Sequence, residues 1–131
     1  MKTRKLQIVT LLASTALGTT AWAGYRYPFE VQIDAVNHTV KGALGSARAS
    51  SDPNQAIGCR ITTAAGTSPV AYCFAVDATG HRAECSSTDQ AIVTVARAIT
   101  DSSMISFGWD AQGICLTLSV ENYSSNPPLE P

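Results

Sequence analysis

The residue types best suited to acid–base chemistry lie close together at His81, Arg82 and Glu84. A histidine and a glutamate can exchange protons with a substrate, and an adjacent arginine can stabilise a developing anion. These residues raise the hypothesis of a small nuclease-like hydrolase, to which His38 could add a second histidine. However, His81 and Glu84 are three positions apart, so a regular strand would direct them to opposite faces of a sheet. The spacing favours a non-enzymatic domain and leaves the hydrolase as an alternative.

Other motifs of catalytic and cofactor sites are missing from the sequence. There is no G-x-S-x-G segment for a serine nucleophile, and residues 42–45 lack the lysine of a phosphate-binding loop. The aspartates are not spaced as in a calcium loop. No C-x-x-C motif suggests a redox site, and no Cys/His pair suggests a zinc site. We therefore predict no catalytic, cofactor-binding or metal-ligating residues.

The cysteine count points to structural disulfides. The four cysteines are Cys59, Cys73, Cys85 and Cys115. An even number of cysteines in a small exported chain is typical of a disulfide framework. We therefore predict two disulfides, each stabilising the fold by about 2–4 kcal/mol.

The alternation of side chains along the strands gives a preference about the pairing. Cys59 is in phase with Ile57, so it is expected to point to the core. Cys73 is out of phase with Tyr72 and Phe74, so it is expected to point the other way. A Cys59–Cys73 bridge is therefore disfavoured. Two arrangements remain open: Cys59–Cys85 with Cys73–Cys115, and Cys59–Cys115 with Cys73–Cys85.

Residues 1–23 have the pattern of a cleaved secretory signal peptide. Its positive segment contains Lys2, Arg4 and Lys5. The mostly apolar run from Leu6 to Leu17 follows, and the segment ends in small residues at Ala21 and Ala23. We predict cleavage between Ala23 and Gly24. The run is too short and too interrupted for a membrane span, and no later segment is apolar for 18 residues.

Removing this leader changes the charge of the chain. The remaining 108 residues carry six basic and ten acidic side chains, a formal net charge of −4. Such a surface argues against binding nucleic acid or anionic lipid through a charged face. We expect a domain exported to the periplasm or the exterior, which has no membrane span and binds a protein or glycan of unknown identity.

Side-chain periodicity predicts a mainly β, α+β domain over residues 24–121, followed by a Pro-rich tail over 122–131. Strands are expected at 27–34, 56–63, 69–76, 81–85, 105–109 and 114–120, with 39–49 as a further strand or a short helix. Apolar residues at helical spacing predict one helix at about 88–99, with Ser87 and Gln90 as its capping box. The expected architecture is an antiparallel sheet of five to seven strands with this helix packed on one face. A two-sheet sandwich is the alternative.

The turns and large side chains predict a register and a core. Segments 77–80 and 110–113 each begin with Asp and end with Gly, as hairpin turns do. In the second hairpin, pairing of residues 109 and 114 would place Phe107 opposite Leu116. We expect Phe107, Leu116, Tyr72 and Phe74 to face the core beneath the helix.

Three functional hypotheses follow, in order of preference. The first is a non-enzymatic exported domain that binds a protein or glycan partner. The second is the hydrolase with His81, Glu84 and Arg82 at its centre. The third is a surface-assembly subunit that uses an exposed edge strand, such as 27–34, or the tail.

Overall fold

The computed structural model describes residues 27–126, and within this range the chain is mainly β with two short helices. The predicted leader, with its cleavage site between Ala23 and Gly24, lies outside the described residues, as does tail segment 127–131. The elements are β1 (Gln32–Asp34), β2 (Thr39–Ala43), α1 (Leu44–Arg48), β3 (Ala56–Thr62), β4 (Val70–Val76), β5 (Arg82–Ser87), α2 (Gln90–Ala96), β6 (Met104–Trp109) and β7 (Cys115–Glu121). The predicted α+β, mainly β class is confirmed.

The strands form two antiparallel sheets that share one core. The four-stranded sheet has the order β1-β2-β6-β7, and the three-stranded sheet has the order β3-β4-β5. A single parallel bridge between Ser86 and Ile114 brings β5 beside the start of β7, and the Ser86 amide donates to the Gly113 carbonyl at 3.0 Å. The strands expected in one sheet are thus divided between two, as in the sandwich alternative, while the helix is retained.

Helix α2 covers part of the core, as the periodicity predicts, but it is shorter than the expected 88–99. Its N-cap is Asp89, whose carboxylate accepts from the amide of Ala91 at 2.7 Å. Ser87 does not cap the helix; it ends β5, and its hydroxyl accepts from the Asp89 amide at 3.1 Å. The buried Val93 packs with Ala71 of β4, so the helix seals one end of the three-stranded sheet.

Both predicted Asp-to-Gly hairpin turns are confirmed. In the first, the Asp77 carboxylate accepts from the amides of Thr79 and His81, and Gly80 adopts φ 87°. Residues 110–113 repeat this arrangement, with Gly113 at φ 77°. A positive φ is accessible to glycine because it has no Cβ, so the final Gly allows each turn to close.

The register of the β6–β7 hairpin differs from the prediction by two residues. Phe107 pairs with Leu118 rather than with Leu116, and the register shifts at Gly108 and Trp109, where Trp109 pairs with Cys115. A bulge of this kind adds an unpaired residue and changes which side chains share a face beyond it. As a result Leu116 is 62% exposed, so the prediction that it faces the core is wrong.

The predicted first strand is reduced to β1. In the preceding segment the amide of Phe29 donates to the Ser46 hydroxyl at 2.7 Å, and the amide of Val31 donates to the Gln55 side chain at 2.8 Å. Side chains thus supply the acceptors for these two amides, while the Phe29 carbonyl accepts from the Ala43 amide of β2 at 3.1 Å. None of the helices within the described range has the length and apolar content needed to cross a lipid bilayer.

Candidate functional site

Strand β4 turns its small side chains to the core and its large ones outward. Ala71, Cys73 and Ala75 are completely buried, whereas Tyr72 and Phe74 lie on the opposite face and are only half-buried. The prediction that these two aromatics face the core is therefore wrong. The core beneath β4 already contains large side chains of the other sheet, including Ile105 and Phe107. Close packing leaves room there for small residues only.

The same inversion accounts for the disulfide pairing. Cys59 lies directly opposite Cys73 in the β3–β4 register, and these two residues are bonded, as are Cys85 and Cys115. The prediction that disfavoured Cys59–Cys73 is wrong, and both of the pairings it left open are excluded. Directly opposite residues of antiparallel strands share a face. The error came from assigning β4 its core face by the size of its apolar residues.

The outer surface of the three-stranded sheet carries two arginines, two aromatic rings and one carboxylate. We name this surface the arginine–aromatic face: Arg60, Tyr72, Phe74, Arg82 and Glu84. Register places Arg60 opposite Tyr72, and Phe74 opposite Glu84. A shallow cleft of about 330 Å³ is lined by the two arginines and the two rings.

A guanidinium group lies over each ring of this face. The Cζ atom of Arg60 is 4.7 Å from the ring centroid of Tyr72, and that of Arg82 is 5.9 Å from the ring centroid of Phe74. Both distances lie within the range of cation–π attraction, which also holds the long arginine side chains in place. The face is therefore more ordered than a set of independent surface side chains.

A hydrogen-bonded network connects the rest of the face. The Oε2 atom of Glu84 accepts from the Tyr72 hydroxyl at 2.5 Å and from Nε of Arg82 at 3.1 Å. The Tyr72 hydroxyl, followed by the Arg82 guanidinium, holds the pKa of Glu84 below its ordinary value. Glu84 is therefore ionised at neutral pH, and its charge is compensated by Arg82.

The residues of the hydrolase hypothesis are separated into different hydrogen-bonded groups. Nδ1 of His81 lies 3.0 Å from the Thr79 hydroxyl and 3.3 Å from the Asp77 carboxylate, within the hairpin turn. In the range 27–126, no hydrogen bond or ion pair joins His81 to Glu84. His38 belongs to the other sheet, in the turn between β1 and β2. Its ring stacks on Trp109 with centroids 5.5 Å apart.

This arrangement is poorly suited to general acid–base chemistry. A general base must reach the proton it removes, and paired groups must share a site. Glu84 is committed to Tyr72 and Arg82, and its lowered pKa makes it a weak base. Within residues 27–126, no three His, Cys, Asp or Glu side chains are grouped so that they could hold a metal ion.

Sequence reasoning singled out Arg82 and Glu84 but missed Arg60, Tyr72 and Phe74. Strand β4 is apolar on both faces, so its alternation does not show which face is buried. Strand β5 contains the missing signal, because its small residues alternate with Arg82 and Glu84 and must therefore face inward. Extending that face across the register would have placed Tyr72 and Phe74 outside.

A second surface depression lies on the outer side of the four-stranded sheet. It has a volume of about 420 Å³, and its lining includes Asp34, Thr39, Lys41 and Thr117. The Asp34 carboxylate is engaged by Asn37 of the adjacent turn at 2.6 Å. The depression lacks the paired rings and cations of the arginine–aromatic face.

In comparisons with known proteins, no family model, curated protein or solved structure matches this chain.

Proposed function

We propose that this chain is a small exported, non-enzymatic domain that binds a protein or glycan partner outside the cytoplasm through the arginine–aromatic face. One observation carries the proposal: Tyr72 and Phe74 project outward from a strand, β4, whose inner face is built of small residues. Tyrosine, phenylalanine and arginine are enriched in the energetically dominant parts of protein interfaces. This face combines all three types, and arginine is present twice.

The rigidity of the scaffold supports a binding role. Cys59–Cys73 crosses the β3–β4 pair that carries most of the face, and Cys85–Cys115 links the two sheets covalently. A surface that is ordered before binding loses less conformational entropy on association. Two disulfides also fit an oxidising, non-cytoplasmic environment, in agreement with the export predicted from residues 1–23.

The proposal is tested by affinity capture with a matched pair of variants. The protein, purified with its disulfides formed, is immobilised and exposed to the soluble proteins and polysaccharides of its own compartment. Phe74→Ser should abolish capture of any specific partner, because it removes a ring at the centre of the face. Leu116→Ser removes an apolar side chain that is 62% exposed elsewhere, and should leave capture unchanged.

A folding control and a fallback variant make the experiment decisive. Circular dichroism and thermal unfolding must show that Phe74→Ser is folded, and Arg60→Gln replaces it if it is not. Capture that survives substitution of the face overturns the proposal. A mass in solution that rises with concentration would instead favour assembly through the 27–34 edge or the tail. Nuclease or glycosidase activity lost in His81→Ala would favour the hydrolase.

A further inference from the structure

The two arginines of the arginine–aromatic face differ in how their charge is used. Nε of Arg82 is bonded to Glu84 at 3.1 Å, so part of its charge is neutralised within the face. Arg60 is exposed and, among residues 27–126, has no hydrogen-bonded or ion-paired side-chain partner. Its guanidinium instead lies over Tyr72, with Cζ 4.7 Å from the ring centroid. Stacking leaves the in-plane N–H groups of a guanidinium available to an acceptor.

The charge of this face contrasts with that of the surrounding molecule. Residues 27–126 contain five Lys and Arg against nine Asp and Glu. Two of those five cations lie on the arginine–aromatic face beside a single carboxylate, so the face is net positive on a net negative domain. Complementary charge orients a partner and excludes competitors of the same sign. An occupant with negative charge is therefore favoured at this position.

The placement of the rings separates an acidic protein from a glycan. Sugars bind aromatic side chains by stacking on open ring faces. Here Arg60 lies over a face of Tyr72, and Arg82 lies over a face of Phe74. The exposed groups are then planar forks of N–H donors, which match carboxylates in a bidentate geometry.

We propose that the arginine–aromatic face recognises an acidic protein segment, with an Asp or Glu carboxylate of the partner bound by Arg60. This inference rests on the proposed function and specifies the chemistry of its partner. Tyr72 supports the Arg60 guanidinium from below, and Glu84 holds Arg82 in place at the other side of the cleft. Phe74 supplies apolar contact area between them.

The proposal is tested by titrating isotope-labelled protein with a poly-glutamate peptide of ten residues and following backbone amide shifts. The shifts should concentrate on β3, β4 and β5 around Arg60, Tyr72 and Phe74. Arg60→Gln should weaken binding by about tenfold, the typical loss for a central interface arginine. Arg60→Lys should not restore it, because an ammonium group lacks the planar fork.

Arg97→Gln provides the matched control. It removes the same charge at an exposed position, next to the end of α2. Its effect should be less than twofold if recognition is local to the face. Equal weakening by Arg60→Gln and Arg97→Gln would show an unspecific charge effect and overturn the proposal, as would shifts confined to other surfaces or no binding at all.

Two further arms separate the possible failures. Polygalacturonate carries carboxylates on a sugar chain, and tighter binding of this polymer than of the peptide would overturn the choice of a protein partner. If Phe74→Ser abolishes partner capture while Arg60→Gln leaves it intact, carboxylate recognition by Arg60 is wrong but the binding function stands. If neither substitution affects capture, both proposals fail.

Discussion

The two sheets of this molecule use large side chains in opposite ways. The four-stranded sheet turns Val40, Ile105 and Phe107 inward, and each is at most 2% exposed. The three-stranded sheet turns inward mainly alanines and cysteines, with Ile57 as its one large buried residue in the described range, while Tyr72 and Phe74 lie outside. The four-stranded sheet therefore contributes most of the large side chains of the core. The three-stranded sheet contributes mostly small side chains to the core and places its aromatic rings on its outer surface.

This difference indicates how a small domain can present aromatic residues without losing its fold. The inner layer of the three-stranded sheet buries little apolar area per residue, so burial alone stabilises it weakly. Disulfides and the cover of α2 compensate for the small side chains. The large residues of β4 are then available for contacts outside the domain.

Substitution of Phe107 should have the largest effect on stability. Phe107→Ala removes a ring that is 2% exposed, and we expect a loss of about 3–5 kcal/mol in the free energy of unfolding. Phe74→Ala removes the same ring from the outer face and should cost about 1 kcal/mol or less. Urea unfolding of both variants measures the contrast. Similar losses for the two would mean that the sheets do not differ as described.

Removal of the cross-strand disulfide should follow in size. The double variant Cys59→Ala/Cys73→Ala opens a loop of 14 residues, and we expect a loss of roughly 3 kcal/mol. The corresponding change at Cys85 and Cys115, 30 residues apart, should cost roughly 0.6 kcal/mol more, because the closed loop is longer. Unfolding of both under non-reducing conditions tests this. A loss below about 1 kcal/mol for either would contradict a stabilising role for the disulfides.

The smallest expected effect is electrostatic. Tyr72→Phe removes the hydroxyl that donates to Glu84, so the pKa of Glu84 should rise towards its ordinary value. A carboxylate with a lowered pKa in the folded state stabilises the fold above its unfolded pKa. That contribution is lost as the pH falls through the folded pKa. In Tyr72→Phe, Glu84 should therefore contribute less to the decrease in folding stability at low pH.

An NMR titration of the Glu84 carboxyl carbon measures this shift directly. Tyr123→Phe is the control, because Tyr123 is 61% exposed and lies outside the arginine–aromatic face. An unchanged titration midpoint of Glu84 in Tyr72→Phe would show that the hydrogen bond from Tyr72 does not stabilise the ionised Glu84 carboxylate.

Much of the fold could be predicted where one segment carried all the information. The turn at 77–80 needs an Asp acceptor and a Gly with positive φ, and both are local properties of the chain. The helix predicted at about 88–99 and observed at Gln90–Ala96 follows from apolar residues at helical spacing, although its N-cap is Asp89 and not the expected Ser87. Of the candidate site, Arg82 and Glu84 were identified because, with His81, their side chains are suited to acid–base chemistry and anion stabilisation.

Other features depended on distant parts of the chain. The residue that pairs with Phe107 across the hairpin depends on a bulge at Gly108 and Trp109. The residues of the turn give no indication of this bulge. The four-residue turn alone predicted that residue 109 pairs with residue 114, which placed Leu116 opposite Phe107. Leu116 was therefore assigned to the core by mistake. Arg60 was missed because its importance comes from lying opposite Tyr72, on a different strand.

By itself, the sequence determined most of the strands, the turns and the helix, because each depends on residues near one another in the chain, and the cysteine count indicated two disulfides. Only the tertiary structure decided the pairing of the cysteines, the division into two sheets and the outward position of Tyr72 and Phe74. Alternation shows which side chains share a face of a strand. When both faces are apolar, as in β4, the face that is buried depends on the space left by residues such as Phe107 from the opposite sheet.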